Sequence, residues 1–184
     1  MNGGNYGSVR NRYATRPFSM LKLLQKSPSQ IVRPDIPFFH VGRLLGPPSF
    51  WDFSGDTAAF DGLLDYHGNI QVALWVQGDQ VEVRRVGVRM WTAPSGIPEP
   101  KQGKMKYAPR RYVQFDGFEP GLALGAAKTL LDSASITYTE VAVSNASETA
   151  VKLVLPNQTE LEFFMMAGQP ALASVHAYSE REGA

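Results

Sequence analysis

No cysteine occurs among the 184 residues, which removes thiolate nucleophiles, disulfides, iron–sulfur clusters and cysteine-ligated zinc together. Histidine is almost as scarce. His40, His67 and His176 lie far apart in sequence, so a histidine metal cluster is not expected. No apolar run approaches the ~18 residues of a membrane-spanning helix. Met1–Gln30 also lacks the uninterrupted apolar core of a signal peptide, so membrane insertion is not expected and a cytoplasmic location is. Charged residues are only 19% of the chain and apolar residues 43%, too apolar for a fully disordered polypeptide. A chain of this length corresponds to one ordinary domain and can bury about 70% of the surface it would expose when extended.

What charge there is falls unevenly. The formal net charge is +1, but residues 1–111 hold 15 Lys/Arg against 8 Asp/Glu, a net of +7, and residues 112–184 hold 3 against 9, a net of −6. Two tracts make the positive side. Arg10, Arg12, Arg16, Lys22, Lys26 and Arg33 are opposed only by Asp35, and Lys101, Lys104, Lys106, Arg110 and Arg111 have no acid between them. Such polarity suits attraction between copies of the chain, or between the chain and a polyanion.

Residues 1–37 mix Gly, Asn, Ser and Pro with basic residues and read as an extended basic arm, leaving residues 38–184 as a single folded domain. Within the arm, the run from Phe18 to Lys26 predicts two turns of helix, with Ser19 as N-cap and Leu21 and Leu24 on one side. So short a helix needs a partner to be stable. Phe38–Leu45 reads as a strand. Ser49–Asp65 is ambiguous, with Trp51, Phe53, Phe60, Leu63 and Leu64 as expected core anchors. Ile70–Val76 and Gln80–Thr92 form a hairpin about Gln77-Gly78-Asp79. Along the return strand, Val81 and Val83 have one parity and Val86, Val88 and Met90 the other, which predicts a bulge at Arg84-Arg85.

The Pro- and Gly-rich stretch 93–108 reads as a long loop, a length associated with function or mobility. A helix is expected from Glu119-Pro120 to about Ser133, packing through Ala123, Ala126, Ala127, Leu130 and Leu131. Strands at Ile136–Val143, Val151–Leu155, Leu161–Met166 and Leu172–Tyr178 are separated by short polar turns and predict an antiparallel meander. The expected fold is therefore α+β: a mostly antiparallel sheet with one principal helix and a basic N-terminal arm.

Chemical motifs are few. Lys128-Thr129 follows a Gly/Ala-rich run, but Ala127 and Leu122 stand where a phosphate-binding loop requires glycine. Asp52, Asp56, Asp61 and Asp65 crowd into 14 residues, enough carboxylate for general acid–base work or a divalent cation. Their spacing departs from a calcium-binding loop, and turn and cap roles explain aspartates of this kind as well. No Gly-x-Ser-x-Gly elbow occurs. Arg84, Arg85 and the tract 101–111, with Tyr107, Tyr112 and Phe115, fit backbone contact plus base stacking on a single strand, and equally an Arg/Tyr-rich protein interface.

The expectation is a non-enzymatic structural or assembly subunit of a larger complex, with a virion-type particle assembled inside the cell as one setting. Its partners are copies of itself or other subunits, and no cofactor is expected. The docking residues are Arg10, Arg12, Arg16, Arg84, Arg85, Lys101, Lys104, Lys106, Arg110, Arg111 and Tyr112. Apolar residues such as Trp91, Phe118, Phe164 and Met166 are expected to serve docking as well. The alternatives are a single-stranded nucleic-acid-binding protein and a small hydrolase built on Asp52–Asp65.

Overall fold

A computed structural model describes residues 17–26, 45–46, 48–53, 61–66, 70–78, 80–90, 113–143, 149–166 and 168–178. Its body is one eight-stranded antiparallel sheet assembled from two meanders. The first runs through β2 (Phe50–Asp52), β3 (Gly62–Tyr66), β4 (Ile70–Gln77) and β5 (Gln80–Arg89). The second runs through β7 (Thr139–Ala142), β8 (Thr149–Val154), β9 (Thr159–Met166) and β10 (Gln169–Tyr178). Each starts at an outer edge and works inward, and β5 pairs with β10 at the centre, giving the order β2-β3-β4-β5-β10-β9-β8-β7. A separate parallel pair joins β1 (Phe18–Ser19) to β6 (Val113–Gln114). The expected mostly antiparallel sheet and C-terminal meander are both present. The strand expected at Phe38–Leu45 lies outside the described residues but for Leu45.

The parity change in β5 has the predicted consequence. Ala73 pairs with Arg85 and Leu74 with Val83, so Arg84 is the extra residue of a bulge. On either side of it, Val83, Val86 and Val88 are all buried in the same core. Without that extra residue, period-two alternation would turn one valine set out of the core. The tight β4–β5 turn uses Gly78 at φ +62, the left-handed geometry that two-residue hairpins demand.

One face of the sheet carries the core: Leu64, Tyr66, Ile70, Val72, Leu74, Leu153, Leu161, Phe163, Leu172 and Val175. Over it lie α1 (Met20–Gln25) and α2 (Leu124–Ser133). The short helix predicted in the arm does form on a Ser19 cap, and it docks, but on its own chain. Met20, Leu23 and Leu24 are fully buried in the core, so the partner this two-turn helix needs is intramolecular. This corrects the reading of the arm as a segment standing off the domain, as far as residues 17–26 are concerned. Residues 1–16 and 27–37, and with them the expected domain boundary at 37/38, lie outside the described residues.

Asp116 ties the helix down. Its carboxylate accepts from the Ser19 hydroxyl, the Leu21 N–H at 3.1 Å and the Gln114 amide at 2.8 Å. Partial burial works against its ionisation, but these donors outweigh it and hold the carboxyl below its ordinary range. Farther along, the Asn157 amide donates to the carbonyls of Leu24 and Lys26.

The second helix begins four residues later than its sequence suggests. Gly121 has φ +79, which no helix accommodates. Gly121 N–H donates to the Leu172 carbonyl and Leu172 N–H to the Leu122 carbonyl. The segment before Leu124 is thus held by β10, as the Ala123–Ala171 bridge also shows, and its backbone groups are unavailable to a helix. Ala127 and Leu131 are the buried residues of α2, whereas Ala126 faces solvent.

Candidate functional site

The strongest surface feature lies at the β2 edge. Directly opposed residues of an antiparallel pair share a face, so Trp51, opposite Leu64, lies on the core face of the sheet. Phe53 follows on that face, and its ring fills the space above Gly62, where an added Cβ would fall 2.5 Å from it. Phe50, opposite Asp65, points to the other face. Trp51 is 64% exposed, Phe50 57% and Phe53 46%. Trp51 and Phe53, expected as core anchors, are exposed instead.

The same strand pair gathers the aspartates. Asp52 and Asp65 lie on the face opposite the core, on adjacent strands, and Asp61 precedes β3 on the same parity. Asp61 and Asp65 have structural work. Asp61 accepts from the Val76 N–H at 2.8 Å and Asp65 from the Gln71 amide at 3.3 Å. No group of three or more His, Cys, Asp or Glu residues suited to a metal ion occurs among the described residues, and Asp56 lies outside them. These carboxylates give the β2 edge an acidic side.

Arg84 and Arg85 are displayed by the β5 bulge on this same non-core face. The Arg84 guanidinium lies 4.9 Å from the centre of the Trp75 ring, close enough for cation–π attraction. Arg85, opposite Ala73, is half-buried. Arg10, Arg12, Arg16, Lys101, Lys104, Lys106, Arg110, Arg111, Tyr112 and Trp91 all lie outside the described residues. Phe118, expected as a docking residue, is instead buried in the core, because Asp116 (φ 52) and Gly117 (φ 94) turn the chain inward just before it.

Toward the other edge, the non-core face holds a compact ionic network. Glu162 accepts from the Ser174 hydroxyl at 2.6 Å, lies 3.1 Å from the Lys152 ammonium and faces His176 Nε2 at 3.4 Å. Lys152 also reaches Glu160 at 2.9 Å. Burial alone would push the Glu162 carboxyl up, yet His176, Ser174 and Lys152 together hold it down at about 2. Burial likewise opposes the charge on Lys152, and its two glutamates lift it to about 12. His176 faces away from the apolar side, as its parity predicts, and its buried Nδ1 lies over Gly87. The network has the chemistry of a structural cross-strand clamp: every carboxylate and ammonium in it is held by another member.

Shallow depressions occur beside α2 and β7, one lined by Thr137, Tyr138, Thr139, Val154, Leu155 and Pro156. They bring no opposed acid and base together. Lys128, of the glycine-poor Lys-Thr motif, is ion-paired with Glu140 of β7, and this partner holds its ammonium above the ordinary lysine range. No helix among the described residues is long and apolar enough to cross a membrane. No protein-family model, curated protein or solved structure matches the chain.

Proposed function

We propose that this protein is a structural or assembly subunit, docking through its N-terminal arm, its basic loop and the exposed aromatics about β2. One observation carries this reading: three aromatics in a four-residue span, Phe50, Trp51 and Phe53, are 57%, 64% and 46% exposed at the strand that is outermost in the sheet among the described residues. An edge strand offers unpaired backbone donors and acceptors. Aromatic residues are the side chains that contribute most at protein interfaces. The mixed charge of the non-core face supports a protein partner over a nucleic acid. Asp52, Asp61, Asp65, Glu82, Glu160 and Glu162 share that face with Arg84, Arg85, Arg89 and Lys152, so a phosphate backbone laid along it would meet carboxylates as well as cations.

Sedimentation of the purified chain across a range of concentrations tests the reading. The wild type is expected to run well above its 20.2 kDa monomer mass, and Trp51→Ala to shift toward the monomer while keeping its unfolding midpoint. A wild type that stays monomeric at high concentration, or whose mass is accounted for by co-purified nucleic acid absorbing at 260 nm, overturns it. The basic tract Lys101–Arg111 is expected to make part of the association weaken as salt rises.

A further inference from the structure

The strap formed by β1 and α1 is held in the way a bound peptide is held. β1 adds a parallel strand to β6, Phe18 beside Val113 and Ser19 beside Gln114, and β6 has no other strand partner among the described residues. α1 then buries Met20, Leu23 and Leu24, an i, i+3, i+4 set, in the core, while Lys22, Gln25 and Lys26 stay exposed. Strand addition and a helix laid by such a face into an apolar seat are both recurring modes of peptide recognition.

Side chains far along the chain read both ends of the strap. At its start the Asp116 carboxylate accepts from the Ser19 hydroxyl and the Leu21 N–H. At its end the Asn157 amide donates to the carbonyls of Leu24 and Lys26, at 2.9 and 3.2 Å. These four bonds span between 95 and 133 residues of sequence. The eight-stranded sheet, meanwhile, contains neither β1 nor β6. The strap can therefore leave without breaking a ladder of that sheet. Six residues of helix do not stay folded once it has left.

We propose that the seat of α1 is an interface between copies, filled in the assembly by residues 17–26 of a second copy. This rests on the assembly reading above and names the two surfaces that meet. The fit of this occupant is directly visible, because the same segment already lies in the seat. A foreign peptide would have to supply the Ser19 hydroxyl, the apolar set of 20, 23 and 24 and a pairing strand at one spacing; a second copy has all three. Exchanging an identical segment exchanges identical bonds, so it costs no contact energy. Surface buried only between copies then decides for the exchanged form, and Phe50 and Trp51, 57% and 64% exposed, supply apolar surface of that kind. Opening the strap alone costs less than opening the whole domain, which gives exchange a route that leaves the sheet folded.

The absence of native cysteine makes the exchange directly readable. Ser19→Cys and Gln114→Cys are prepared as separate full-length proteins, mixed at high concentration and oxidised. Neighbouring strand residues lie within disulfide reach, and neither protein can make that link within one chain. A mixed dimer of twice the monomer mass is expected on a non-reducing gel, in excess of what either variant forms alone. The double variant Ser19→Cys/Gln114→Cys, kept dilute, is expected to close the same link within single chains. Carrying Asn157→Ala in both separate proteins removes the anchor at the far end of the strap. With two hydrogen bonds gone, the mixed link is expected to form about tenfold faster.

A double variant that closes within single chains, with no mixed dimer from the separate proteins, overturns the proposal. So does a double variant that never links, because the two positions are then not neighbours in any form of the protein. So does a mixed dimer whose rate Asn157→Ala leaves unchanged, since the link then forms without release of the strap. Wild-type sedimentation separates the two levels. A self-associating wild type with no mixed dimer sinks only the strap exchange, and a monomeric wild type sinks the assembly reading with it.

Discussion

The centre of the sheet and its β2 edge use similar residues to opposite ends. At the centre, β4 and β10 are buried on both faces: Ile70, Val72 and Leu74 with Gln71 and Ala73, and Leu172 and Val175 with Ser174. At the edge, Phe50, Trp51 and Asp52 are all exposed. The far edge, β7, is equally exposed but differently protected. It bears Glu140, locked to Lys128 of α2, and a charge on an edge strand is a common guard against unwanted pairing. An open edge is thus not enough to define an interface. What sets β2 apart is aromatic surface on both faces with acid on one of them.

The largest test of this contrast is in the covered region. Leu23 of α1 is fully buried, and Leu23→Ala is expected to cost about 3 kcal/mol, in the range of buried leucine truncations. Thermal or denaturant unfolding measures it. A cost near zero would mean that α1 belongs with the edge rather than the core, and that residues 17–26 are a detachable arm after all.

Next in size is the ionic clamp on β8–β10. Glu162→Gln removes the charge that Lys152 and His176 face, and is expected to cost about 2 kcal/mol at neutral pH. The Glu162 carboxyl lies at about 2, below its ordinary 4.5. A carboxylate held low stabilises the fold above its unfolded-state pKa, and that contribution is lost as pH falls through the folded value. The gap between wild type and Glu162→Gln should therefore be full above about pH 5 and close between there and pH 2. A gap constant down to pH 2 would show that packing, not charge, is what Gln disturbs.

Much of this architecture is legible from alternation and turns. The β4–β5 hairpin, the C-terminal meander, the Ser19-capped helix and the β5 bulge all rest on local signals, and all are present. What local pattern does not reveal is which distant elements meet. Nothing in β5 or β10 alone specifies that they pair to fuse two meanders. Nothing around Phe18–Lys26 says whether its buried face belongs to this chain or another; that is decided by Asp116 and Asn157, some 95 and 133 residues away from their bonds to α1. Trp51 and Phe53 read as anchors from their type alone, and their exposure depends on what packs over the strand, which local pattern does not state. Asp52, Asp61 and Asp65 do lie together as their spacing suggests, on the β2–β3 strand pair, where Asp61 and Asp65 accept from backbone and amide donors.

The finest test compares two glycines on neighbouring parts of the sheet. At Gly87 in the centre, an added Cβ would fall 3.0 Å from His176 Nδ1. His176 is held against Glu162 on one side and packed by strands on the others, so Gly87→Ala is expected to cost about 1–2 kcal/mol, as overpacking in an interior does. At Gly62 the intrusion is nominally worse, 2.5 Å from the Phe53 ring. That ring, however, is the far end of a side chain, 46% exposed, rather than backbone. Gly62→Ala is therefore expected to change stability by less than about 0.5 kcal/mol, the range of ordinary surface substitutions, while displacing Phe53 from the edge and weakening self-association. Unfolding midpoints and sedimentation on the same two variants read both effects. If Gly62→Ala destabilises the fold more than Gly87→Ala, Phe53 is a core residue in function, and the division between a packed centre and a docking edge falls between β2 and its neighbours rather than at β2 itself.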